Sequence, residues 1–121
     1  MITIKNRGEE LTSAELKEIY DNLFISQHAR ERLQERVPVN IKQLFESPLV
    51  AYFNTDGSVN VALDEYNYLV VQYCEHHQNW KVVTWKEKSW NDKTVFDKQR
   101  MAKAGYGRKV KNENKICVSN T

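Results

Sequence analysis

Near Leu49 the spacing of apolar residues changes, and this change most constrains the fold. Before it, apolar side chains recur every three or four residues. After it they recur every second residue and are interrupted by evenly placed turn clusters. That switch predicts helices followed by an antiparallel meander. Strands are expected over residues 49 to 54, 59 to 63, 68 to 75 and 80 to 87. Turns at Thr55-Asp56-Gly57-Ser58, Asp64-Glu65-Tyr66-Asn67 and His76-His77-Gln78-Asn79 separate them. The expected fold class is α+β, with N-terminal helices, a four-stranded antiparallel meander and a C-terminal helix.

Local signals place the helices. Thr12 and Glu15 form a capping box for a first helix over residues 13 to 22, each side chain meeting a free backbone donor of the other. Ser26 is a good N-cap for a second helix, which Pro38 stops by forcing the preceding residue out of helical geometry. Asn40 opens a third, short helix with Ile41, Leu44 and Phe45 inward. A last helix is expected over residues 93 to 104, docked by Val95, Phe96 and Met101 and ended by Gly105. The segment before Leu11 reads as a short edge strand or a loose arm.

The second helix carries the unusual charge pattern. Ile25, Ala29, Leu33 and Val37 supply its core face, with His28, Arg32 and Arg36 in a stripe beside it. Four-residue spacing pairs Arg32 with Arg36 and Glu31 with Glu35, and such like-charge pairs cost roughly 0.2–0.5 kcal/mol each. The stripe calls for an anion, either a carboxylate elsewhere in the fold or a phosphate, and both readings stay open.

By parity along the last strand, Trp80, Val82, Thr84 and Lys86 point one way, and Lys81, Val83, Trp85 and Glu87 the other. If Trp85 and Val83 face the core, Thr84 and Lys86 sit on the open face; buried Trp80 and Val82 would reverse this. Together with His28 and Arg32 they form a candidate set for metal-free RNA cleavage. A histidine near neutrality moves the protons, Arg32 and Lys86 hold the phosphate, Thr84 orients it, and a 2′,3′-cyclic phosphate is left. Arg36, Lys88, Lys93, Arg100, Tyr106, Arg108 and Lys109 are the candidate nucleic-acid contacts. Neither a metal site nor a cofactor is expected: Glu75, His76 and His77 are neighbours at a strand end and point apart.

The totals bound the rest. A chain of 121 residues suits one domain, here residues 1 to 107, with a basic tail over 108 to 121. Residues 1–85 hold 8 Lys/Arg against 12 Asp/Glu, net −4, and residues 86–121 hold 10 against 4, net +6, so the basic end is the expected electrostatic footprint. A mean hydropathy of −0.70 and the lack of a long apolar run predict a cytoplasmic protein with no membrane partner. Cys74 and Cys117 read as reduced thiols.

Ser26, His28, Ala29, Arg32, Glu35 and Arg36, spaced as Ser-x-His-Ala-x-x-Arg-x-x-Glu-Arg, resemble the helix that opens a small bacterial and phage family of RelE-like domains of unknown function. The resemblance covers roughly residues 24 to 88. It departs at Val37-Pro38, where the family has a glycine. It implies the α+β fold of RelE-type toxins and other metal-independent ribonucleases, with working side chains on the first helices and final strands. Two readings follow. One is a toxin-like endoribonuclease acting on RNA and restrained by a protein antitoxin. The other is a non-catalytic phage or mobile-element protein that binds nucleic acid or a host protein.

Overall fold

A computed structural model describes residues 8–87 and 93–105. Four helices and five strands follow in the order α1 (Ser13–Asp21), β1 (Leu23–Phe24), α2 (Gln27–Arg36), α3 (Ile41–Glu46), β2 (Val50–Phe53), β3 (Val59–Ala62), β4 (Tyr68–Cys74), β5 (Asn79–Lys86) and α4 (Val95–Lys103). The strands form one sheet in the order β1-β5-β4-β3-β2. The expected four-stranded antiparallel sheet is therefore corrected to a five-stranded mixed one. The added strand, β1, lies parallel to β5, with Leu23 opposite Trp80 and Phe24 opposite Lys81. Two residues are too few to show an alternating period, and their partners lie more than fifty positions away.

Helix starts follow their caps. Thr12 and Glu15 exchange both capping-box hydrogen bonds. The Ser26 hydroxyl accepts from the Ala29 amide, and the Asn40 side chain accepts from the Lys42 amide.

Helices α1 to α3 cover one face of the sheet. Leu16, Ile19, Leu33, Val37, Leu44 and Phe45 meet Phe53, Val59, Val61, Leu69, Val71, Trp80 and Trp85 there. The other face is covered only in part. Val95 of α4 sits among Val50, Tyr52, Ala62, Tyr68 and Val70, and its amide donates to the Glu65 carbonyl at 2.7 Å. Strands β2 and β3 thus lie between two layers, and all eight of their residues are buried. Among the described residues, no helix covers Thr84 and Lys86 of β5 on that second face as α4 covers β2.

Strand β5 does not alternate strictly. Val70 pairs with Thr84 but Val71 pairs with Val82, so Val83 is an extra, bulged residue. The bulge puts Trp80, Val82 and Trp85 together on the helical face and leaves Thr84 and Lys86 on the other. It resolves the parity conflict in the sequence and corrects the expectation that Val83 faces the core: Val83 is 43% exposed.

Two further expectations change. Phe96 is exposed, and the buried positions of α4 are Val95, Gln99 and Ala102. Cys74 is disulfide-bonded, not a reduced thiol; Cys117 lies outside the described residues.

The outer edge of β2 is occupied by residues 8–11. The Gly8 amide donates to the Phe53 carbonyl, the Leu11 amide to the Ala51 carbonyl and the Phe53 amide to the Glu9 carbonyl. Gly8 has φ +77°, and a Cβ there would stand 2.9 Å from both the Gln99 carbonyl oxygen and the Lys103 amide nitrogen. Left-handed backbone costs a side-chain-bearing residue ~1–2 kcal/mol before any clash. Gly8→Ala should therefore lower the unfolding free energy by roughly 2 kcal/mol or more in urea titration, and Gly8→Val by more still. Unchanged midpoints would show that this segment does not pin α4.

Candidate functional site

On the second face, between α4 and β5, the described residues leave an open groove of about 630 Å³. Its floor is Tyr68 and Val70 of β4, Thr84 and Lys86 of β5 and Asn60 of β3; Lys93, Lys98 and Met101 form the α4 side. Lys86 is cross-strand partner to Tyr68, and Thr84 to Val70, so the sheet register fixes a hydroxyl and an ammonium group side by side. Among the described residues lining it there are three lysines and no carboxylate.

The groove is held by buried polar contacts. Lys98 Nζ donates to the Tyr68 hydroxyl at 3.0 Å and lies 4.9 Å from the Tyr68 ring centroid, so the phenol positions the cation from its edge and its face. Asn54 Nδ2 donates to Asn60 Oδ1 at 2.7 Å, and Asn60 Nδ2 donates to the buried Tyr52 hydroxyl at 2.9 Å. Each polar group in this network has a partner, which keeps a half-buried polar floor from being costly.

Burial pushes the Tyr52 phenol up to about 12, although the Asn60 hydrogen bond pulls the other way. A phenol whose folded-state value exceeds its unfolded value of about 10 contributes stability that is fully present below pH ~10 and lost as the pH climbs toward ~12. The unfolding free energy should fall by about 2–3 kcal/mol across that window. Tyr52→Phe should flatten that part of the pH profile. An unaltered alkaline slope in the variant would mean that the phenol is not the group responsible.

The side chains predicted from the sequence fall into separate places. Thr84, Lys86 and Lys93 line the groove. His28 and Arg32 are exposed on α2, and no α2 side chain is among those lining the groove. Arg36 meets a carboxylate of its own chain: Nε donates to Glu87 Oε1 at 2.7 Å, and Nη2 is 2.5 Å from the same oxygen. This pair ties the end of α2 to the end of β5, and both side chains remain substantially exposed. Arg100 is folded back onto Asp97. Lys88, Tyr106, Arg108 and Lys109 lie outside the described residues. The four residues expected to converge for cleavage are therefore not gathered in one concavity.

Sequence reasoning did not single out Tyr68, Lys98 or Asn60. For Lys98 a signal existed: with Val95, Gln99 and Ala102 it falls at i, i+3, i+4 and i+7, the spacing of a docked helical face. Among the described residues no group of three or more His, Cys, Asp or Glu side chains has the geometry to hold a metal ion, and no described helix is long and apolar enough to cross a membrane. No family model matches the chain, and no curated protein or solved structure matches it either.

Proposed function

We propose that the protein binds RNA through its phosphate backbone in the groove lined by Lys86, Lys93 and Lys98. The observation that carries this reading is the set of three ammonium groups on one concavity, with no carboxylate among the described residues that line it. A polyphosphate backbone matches such a patch, because it brings several negative charges at once. Thr84 adds a hydroxyl that donates to a phosphate oxygen, and Lys98 is already oriented by Tyr68.

The toxin-like endoribonuclease is the second reading, favoured by Thr84 and Lys86 sharing this groove. It is the weaker of the two, since among the described residues no histidine or carboxylate lines the groove to take the proton from a ribose 2′-hydroxyl. The experiment that separates them uses purified protein and end-labelled RNA. Anisotropy measures binding, and a denaturing gel run on the same samples measures cleavage. Saturable binding with intact RNA is the expected result. Cleavage lost in His28→Ala would turn the assignment to the enzyme, and no binding at low salt would remove both readings.

A further inference from the structure

A second concavity adjoins the lysine groove on the side of β5 away from α4. Val83, the bulged residue of β5, lines the groove and also lines this second concavity of about 310 Å³ together with Phe24, Ser26, Ala29, Gln72 and Lys81. Phe24 stands opposite Lys81 in the parallel β1–β5 pair. Lys81 in turn pairs with Gln72, and Thr84 with Val70, so Phe24, Lys81 and Thr84 share one face of the sheet. A lone exposed apolar side chain is unremarkable. Here two large exposed hydrophobics, Phe24 at 51% and Val83 at 43%, line the same second concavity, and Val83 also lines the first. Among the described residues neither concavity has a lining carboxylate, and between them they present Lys81, Lys86, Lys93 and Lys98.

We infer that Phe24 is a base-stacking platform at the end of the phosphate track, so that the ligand is single-stranded. This rests on the RNA-binding reading above and deepens it. Lysines placed along β5 and α4 follow a backbone, whereas an exposed phenyl ring offers a surface that any base can cover. From Lys86 back to Lys81 is roughly 15 Å at ordinary strand rise, enough for a few nucleotides. A duplex keeps its base faces inside its own stack and reaches Phe24 only by extruding a base. It therefore engages the lysines alone.

The test measures anisotropy with a ten-nucleotide single-stranded RNA, the same sequence as single-stranded DNA, and the matching RNA duplex. The wild type is compared with Phe24→Ala, Phe24→Trp and Lys86→Gln. Single-stranded RNA should bind at least roughly tenfold more tightly than duplex. Phe24→Ala should weaken the single strand by roughly tenfold while leaving the duplex and the salt dependence unchanged, and Phe24→Trp should retain wild-type affinity. Equal binding of duplex and single strand, together with an unaffected Phe24→Ala variant, would overturn the stacking role. If Lys86→Gln still weakened both ligands, the groove reading would survive that loss. Preference for DNA over RNA would keep the platform and overturn RNA as the ligand. Failure of every nucleic acid to bind, or tighter binding of polyglutamate, would overturn both.

Discussion

Replacing Lys86, Lys93 and Lys98 together by glutamine should weaken RNA binding by roughly 10²-fold at 0.1 M salt and make the slope of log K against log salt shallower by about 2. Counterion release sets both figures. Each ammonium seated against a single-stranded phosphate contributes about 0.7 to that slope, and the three side chains share one groove. Glutamine keeps most of the length and the apolar stem, so the comparison isolates charge. Lys86 and Lys93 are exposed, and surface changes of this kind move stability little. Lys98 is the exception, because it donates to Tyr68, so a thermal melt accompanies the binding curve. A triple variant that melts like the wild type and binds with the wild-type slope would show that the cations act elsewhere.

The second large effect concerns stability. Phe53 is fully buried in β2 and belongs to the cluster that joins α1, α2 and α3 to the sheet. Its carbonyl also accepts the Gly8 amide, so the residue sits where the segment over residues 8–11, the sheet and the helical layer meet. Phe53→Ala removes a large aromatic side chain from a close-packed site and should cost about 3–5 kcal/mol. Against a total stability of ~5–15 kcal/mol this is a large fraction, and the melting temperature should fall by roughly 10–20 °C. Urea and thermal unfolding read it directly. A loss below ~1 kcal/mol would mean that the helical layer does not close over this end of the sheet.

What could be read from the sequence divides by physical range. The caps at Thr12, Ser26 and Asn40 are contacts within three residues and stand in the structure where their motifs lie. The turn at Asp64 is equally local: its carboxylate accepts from the Tyr66 and Asn67 amides. The pairing of β1 with β5 was not legible, because two residues carry no period and their parallel partners are far along the chain. Nor was the bulge at Val83. Strict alternation forced a choice between burying Trp80 and burying Trp85, and one unpaired residue lets the sheet bury both.

The candidate site shows the same division. Strand parity leaves Thr84 and Lys86 on either face, according to whether Trp85 or Trp80 is buried; the bulge at Val83 decides it, and both residues line the groove. The stripe of His28, Arg32 and Arg36 was legible as a charge anomaly, but the means of balancing it was not. Glu87, which takes Arg36, lies 51 positions away. Phe96 was expected to dock α4 because it is apolar. The buried position goes instead to Gln99, whose amide donates to the Gly8 carbonyl at 2.9 Å, a hydrogen bond that makes burial of a polar side chain affordable.

On this reading negative charge from outside the chain lands in the lysine-lined groove and not on α2. Backbone amide shifts followed by NMR during titration with a short single-stranded RNA test it most directly. Shifts are expected at Tyr68, Val70, Thr84 and Lys86, along α4 near Lys98, and at Phe24 and Lys81 where the strand stacks, with Arg32 unmoved. Shifts confined to α2, with the groove residues silent, would contradict it.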